Sequence, residues 1–228
     1  MLAGSASRLL VVLPFNVTAK LPDRLESSSP VAWKELTTYL KAHAIPIKTL
    51  AFPTARRLWL ECVREARAAK PGTRSGFDEA AGIFVARLSQ HVEFDTLVIP
   101  TLFVQGAPIS GRTASWDRAV HPIEFDEGEW QGRIPEDTSF GGALPAVTLH
   151  AVVLDAEGKE VQQAQAGLAL LVTVRMRGRP EGAREPSYQL VDRPNPFENR
   201  EQVLEGIALA FAPLLPRLDP AAVAKASP

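Results

Sequence analysis

The side chains that could do chemistry are few and lie far apart in the chain. The one cysteine, Cys62, falls on the apolar stripe of a predicted helix, where a thiol acts as a packing group rather than a nucleophile. The histidines occupy positions that fit no zinc-site spacing: His43, His91, His121 and His150. The sequence contains no Gly-x-Ser-x-Gly turn and no glycine-rich phosphate loop. It therefore predicts no catalytic residues, no cofactor and no metal ion.

Two weaker polar patterns have ordinary structural interpretations. His121 and Glu124 are three residues apart, and on a predicted strand their side chains would point to opposite faces. The acidic run that follows lacks the alternating oxygen ligands and central glycine of a calcium loop: Glu124, Asp126, Glu127 and Glu129. We interpret this run as a solvated loop.

Large contact side chains occur beside predicted loops after residue 110. Tryptophan and arginine are the types that most often anchor protein interfaces. The candidate partner-binding residues are Arg112, Trp116, Asp117 and Trp130. Trp116 also has a core interpretation, in which it packs against a sheet. A competing hypothesis is a small-molecule enzyme, in which Arg112, Asp117 and His121 converge on one loop-built cleft.

The balance of charge excludes some classes of partner. The chain has 25 Lys and Arg against 26 Asp and Glu, for a formal net charge of −1. Nucleic acids and anionic membranes are bound by clustered cationic side chains. We therefore expect no nucleic-acid partner and no polybasic membrane patch. No apolar run approaches the roughly 20 residues that cross a bilayer.

Apolar periodicity predicts an α/β (α+β) fold, with a single mixed β-sheet and helices packed on it. The predicted order of elements is β-α-β-α-α-β-β-β-β-(β)-α. The opening run Leu9–Leu13 predicts a strand buried on both faces, parallel to the second strand after a helical crossover. We predict one domain over residues 9–215, with a flexible tether over 1–8 and a frayed tail over 216–228.

Breaker and turn residues define the later elements. Pro100 interrupts a predicted strand and indicates an edge or a bulge, through which the protein could self-associate as a structural subunit. Ser115–Phe125 is predicted as one strand, and 126–142 and 178–195 as loops. The turn at Asp155–Gly158 predicts a hairpin, and the chain closes with a predicted helix over 196–215.

Three segments, in order along the chain, resemble a family of bacterial envelope lipoproteins. Val11-Val12-Leu13-Pro14-Phe15-Asn16 stands where members open with hydrophobic-Val-Leu-Pro-Phe-Asn, and residues 95–106 and 147–161 resemble a later strand and hairpin. The family includes the curli secretion-channel lipoprotein, the lipoprotein activators of penicillin-binding proteins and the N-terminal domain of the Tol-system propeller protein. The resemblance implies a non-catalytic accessory protein that binds another envelope protein or a cell-wall polymer.

The first residues carry a related signal. Leu2-Ala3-Gly4-Ser5 resembles a lipoprotein cleavage box in which serine replaces the lipidated cysteine. This resemblance implies a periplasmic protein, anchored to the outer membrane by a lipid at the position of Ser5. The alternative is a flexible start made of small residues.

Overall fold

In the computed structural model, which describes residues 9–43, 46–69, 76–126, 141–176 and 188–215, the first strand lies inside the main sheet. β1 (Leu10–Val12) is buried and pairs in parallel with β2 (Ile47–Thr49) on one side and β3 (Thr96–Ser110) on the other. A strand without a polar face is stable only when both faces are covered. The predictions of a buried first strand and a parallel second strand are confirmed.

The helices form a layer on each face of this sheet. They are α1 (Ser29–Ala42), α2 (Phe52–Ala69), α3 (Phe77–Ser89) and α4 (Arg200–Phe211). Leu10 and Val12 pack in one core with α1 and α4, whereas Val11 and Leu13 pack in another with α2 and α3. The alternation of side chains along β1 thus supplies both cores, and the fold is the predicted mixed α/β arrangement.

The second half of the sheet is antiparallel. β3 pairs with β7 (Ala143–Asp155) from Thr96 opposite Asp155 to Pro108 opposite Ala143. β7 then pairs with β8 (Glu160–Leu170), as the turn at Asp155–Gly158 predicts, and Gly158 has the positive φ of 80° that this turn requires. The predicted closing helix is also present, as α4. At its start, the Asn199 side chain accepts the Gln202 N–H and caps the helix.

The predicted strand Ser115–Phe125 is wrong, because the chain turns back on itself within it. β4 (Thr113–Trp116) and β5 (Ala119–Pro122) form a hairpin, and β6 (Phe125–Asp126) follows. The turn residues Asp117 and Arg118 have φ values of 42° and 67°. Hairpin turns with two positive φ values usually contain Asn-Gly or Asp-Gly, so the dipeptide Asp117-Arg118 does not predict a turn.

The single predicted sheet is also incomplete. Seven strands form the main sheet, and a small second sheet has the order β10-β9-β6, in which β9 is Val172–Met176 and β10 is Tyr188–Asp192. β10 lies where a loop was predicted. Residues 1–8, 127–140, 177–187 and 216–228 lie outside the described residues, and so do the predicted tether, the frayed tail and most of the predicted 126–142 loop.

Pro100 does not mark an edge. β3 lies between β1 and β7, and Pro100 is opposite Ala151 within the long antiparallel pairing. The last β1–β3 pair is Val12 with Val98, so the nitrogen of Pro100 faces the side where β1 has already ended. The missing N–H therefore removes no ladder hydrogen bond. Self-association through an edge at Pro100 is excluded by this pairing.

Two glycines allow close packing around β8. A Cβ atom at Gly167 would lie 2.4 Å from Cε2 of Trp116, and one at Gly206 in α4 would lie 2.3 Å from the Gly167 carbonyl oxygen. Real Cβ atoms do not approach so closely. The indole of Trp116 and helix α4 therefore both depend on the absence of a side chain.

Gly167→Ala should lower the free energy of unfolding by about 1–3 kcal/mol, because the methyl group displaces Trp116. Gly82→Ala in α3 is the matched control, since a Cβ there meets nothing within 4 Å. The control should leave stability unchanged or raise it by up to about 1 kcal/mol. Urea denaturation measures both variants, and equal stability of Gly167→Ala and the parent protein would contradict this packing.

Candidate functional site

An apolar groove lies beyond the carboxyl ends of β1 and β2, where α1 and α2 begin. Its volume is about 430 Å³. It is lined by Pro14, Phe15, Leu21, Ser29, Pro30, Trp33, Thr49, Leu50 and Phe52. The carboxyl ends of parallel strands are where α/β sheets most often bind ligands, because the connecting loops diverge there. We refer to this site as the apolar groove.

The buried side chain of Asn16 shapes one wall of the apolar groove. Its Oδ1 accepts the Leu102 N–H at 2.9 Å, and its Nδ2 donates to the carbonyl oxygens of Leu102 at 2.9 Å and Lys20 at 3.3 Å. Its own N–H donates to the Pro100 carbonyl at 3.2 Å. The Asn16 side chain thus continues the pairing with β3 after β1 has ended.

The backbone of Asn16 allows the chain to turn at this point. Its φ of 59° is left-handed, a conformation that asparagine tolerates better than most residues. Phe15 and Leu21 flank this turn, and both line the apolar groove. The amide of Asn16 therefore fixes the segment that carries this wall.

The opposite walls come from the first turns of the two helices. The rings of Phe15 and Trp33 meet edge to face, with centroids 5.5 Å apart. Arg56 of α2 donates to the carbonyl of Val17 and joins that helix to the loop after β1. Phe52 stands at the rim with 46% of its surface exposed. The groove is thus held open by contacts among three elements of the fold.

A second, polar groove of about 700 Å³ lies beside the β4–β5 hairpin. Its lining consists of Asp117, Arg118, His150, Gln163, Ala164, Gln165 and Pro213. Although the polar groove is larger than the apolar groove, its charged side chains, Asp117 and Arg118, already form hydrogen bonds within the protein. One carboxylate oxygen of Asp117 accepts from Gln105 and Thr148, and the other accepts from Gln165 at 3.0 Å.

The guanidinium of Arg118 is also held by hydrogen bonds within the protein. It donates to the carbonyl oxygens of Gln165 at 2.7 Å and Leu209 at 2.6 Å. These contacts tie the hairpin to β8 and to the last turn of α4. We therefore interpret the polar groove as a structural junction.

The structure describes three of the four predicted partner-binding residues, and it does not bring these three together at one surface. Arg112 is exposed, with its guanidinium 5.0 Å from the centre of the Phe125 ring. Trp116 is only 7% exposed, and its Nε1 donates to the Val147 carbonyl, so its core interpretation fits the structure. Asp117 lines the polar groove, and Trp130 lies outside the described residues.

The competing enzyme hypothesis required Arg112, Asp117 and His121 around one cleft. Only Asp117 lines the polar groove. His121 is buried against Trp116, with ring centroids 5.0 Å apart, and its Nε2 has no hydrogen-bond partner among the described residues. Burial lowers the pKa of the His121 imidazole; Glu205 raises it and Arg193 lowers it by smaller amounts. The imidazole is therefore uncharged at neutral pH.

Other chemistry-bearing groups are also part of the scaffold. Cys62 is buried as predicted, and burial raises the pKa of its thiol, which keeps it protonated. In the part of the chain that the structure describes, no three His, Cys, Asp or Glu side chains are grouped so that they could hold a metal ion. None of the helices there is both long and apolar enough to span a membrane.

Sequence reasoning missed the apolar groove. Residues 11–16 resemble the opening segment of an envelope-lipoprotein family, but their types and spacing do not predict a groove. Phe52 opens α2 and projects at the rim. The exposure of an aromatic side chain at a helix start depends on the packing angle of that helix, which apolar spacing does not specify.

The sequence matches no protein-family model, and it matches no curated protein.

Asn16→Asp should lower the free energy of unfolding by about 2–4 kcal/mol, because a buried carboxylate oxygen would face two carbonyl oxygens without a donor between them. Asn199→Asp is the matched control, since aspartate caps an exposed helix start as well as asparagine does. The control should change stability by less than about 0.5 kcal/mol. Denaturation at neutral pH measures both, and equal losses would contradict the role of Asn16.

Proposed function

We propose that this protein is a non-catalytic accessory protein that binds another protein of the bacterial cell envelope, with the apolar groove as its binding surface. One observation carries the proposal: a preformed apolar cleft opens at the surface beside an exposed aromatic side chain, Phe52. Exposed apolar surface next to a concave site is typical of protein interaction sites.

The lining of the apolar groove favours a protein partner over a small molecule. Small-molecule sites combine an apolar lining with several placed polar groups that orient the ligand. Among the described residues of this lining, the polar groups are the hydroxyls of Ser29 and Thr49 and the indole N–H of Trp33, and none of these residues is titratable. A cell-wall polymer, rich in hydroxyl and amide groups, would leave most of its hydrogen bonds unmade. A large apolar side chain of a partner protein needs no hydrogen bonds from the groove.

The proposed location rests on the sequence. The order of the segments 11–16, 95–106 and 147–161 supports an envelope protein. Leu2–Ser5 supports a lipid anchor in a natural protein that has cysteine at the position of Ser5. The natural gene, expressed in its own cells, should give a protein that is recovered with the outer membrane after fractionation. Recovery in the cytosol would contradict the envelope location and leave the binding surface unaffected.

The binding surface is tested with N-acetyltryptophanamide as a stand-in for a partner's aromatic side chain. Amide chemical-shift changes should cluster at the apolar groove, and Phe52→Ser should weaken binding several-fold, because an exposed ring is lost without disturbing the core. Val120→Ser, at a 63% exposed position on β5, is the control and should have no effect. Shifts clustered at Asp117, or unchanged by Phe52→Ser, would contradict the proposal.

A further inference from the structure

The outward face of α2 is both apolar and cationic. Phe52 and Leu60 are 46% and 39% exposed on it, and they lie eight residues apart, which places them on one side of the helix. A shallow groove of about 330 Å³ follows this face and is lined by Phe52, Pro53, Arg56, Arg57, Leu60, Glu61 and Arg64. We refer to it as the arginine face.

The acidic side chains of α2 do not neutralise these arginines. Arg87 of α3 binds both Glu61, at 3.3 Å, and Glu65, at 2.5 Å. Arg57 and Arg64 are exposed and have no ion pair among the residues that the structure describes. The arginine face therefore keeps an uncompensated positive charge, although the whole chain has a net charge of −1.

The arginine face and the apolar groove are continuous. Phe52 lines both, so a bound segment could place an apolar side chain in the groove and extend along α2. From Phe52 to Arg64 the helix rises by about 18 Å, the length of about 12 helical or 5–6 extended residues. A short peptide segment therefore spans the whole surface.

We propose that the arginine face and the apolar groove together bind an acidic segment of a partner protein, with one apolar side chain in the groove and carboxylates against Arg57 and Arg64. This inference rests on the proposed function and adds the chemistry of the partner. Charge complementarity supports it, because opposite potentials speed encounter and select partners.

A lipid surface is the less favoured occupant. Helices that lie in a membrane interface present a broad apolar face along their whole length. Among the described residues, the arginine face exposes two large apolar side chains, Phe52 and Leu60, and the main apolar surface beside it is a concave cleft. A peptide side chain can fill such a cleft, whereas a flat bilayer cannot.

The test uses random 12-residue peptides displayed on phage and selected on the full chain, with counter-selection on Phe52→Ser. The enriched peptides should combine an aromatic or aliphatic residue with several Asp or Glu, and their affinity should fall as salt is raised. Arg57→Glu with Arg64→Glu should weaken binding about tenfold or more. Arg67→Glu, at an exposed α2 position outside the lining, should change affinity less than about twofold.

The outcomes separate this inference from the proposed function. Peptides that depend on Phe52 but show no acidic preference and bind Arg57→Glu/Arg64→Glu normally would overturn the inference alone. A selection with no Phe52-dependent peptide would overturn the proposed function as well. Phosphatidylglycerol vesicles form a second arm: sedimentation of the protein with them through Arg57 and Arg64 would assign the face to a lipid surface and overturn the acidic-peptide assignment.

Discussion

One asparagine side chain determines how the parallel half of the sheet ends. β1 stops pairing at Val12, yet further along β3 the N–H and carbonyl of the buried residue Leu102 need partners. The amide of Asn16 supplies both an acceptor and a donor for them, each at 2.9 Å. A primary amide carries an acceptor oxygen and a donor nitrogen side by side in one plane, so few residues could replace it.

The apolar groove follows from this ending of β1. Because the Asn16 side chain, and not the backbone of a longer β1, pairs with Leu102 of β3, the chain can turn away from the sheet here. This turn places Phe15 and Leu21 above the sheet. The first turns of α1 and α2 complete the cleft, and Arg56 fastens α2 to the same loop through Val17. The cleft is therefore preformed, which reduces the ordering cost of binding. The polar groove is not interpreted as a binding surface, because its charged side chains already hold the β4–β5 hairpin against β8 and α4.

The parts of the fold that were predictable from sequence depend on local patterns. The buried first strand, the β7–β8 hairpin and the closing helix α4 follow from an apolar run, a turn sequence and helical apolar periodicity, and each was predicted. The Asp117–Arg118 turn was not predicted, because its positive φ values are stabilised by the contacts of Asp117 and Arg118 with β7, β8 and α4. Trp116 was ambiguous for a similar reason. Its burial depends on Gly167, a residue distant in sequence that leaves room for the indole.

The central claim is that the apolar groove, shaped by Asn16, is the surface that receives a partner's apolar side chain. The most direct measurement is a crystal structure of the protein with a selected peptide bound. We predict an aromatic or aliphatic side chain of the peptide between Trp33 and Phe52, with the Asn16–Leu102 hydrogen bonds unchanged. A peptide seated beside Asp117, or on the opposite face of the sheet, would contradict the claim.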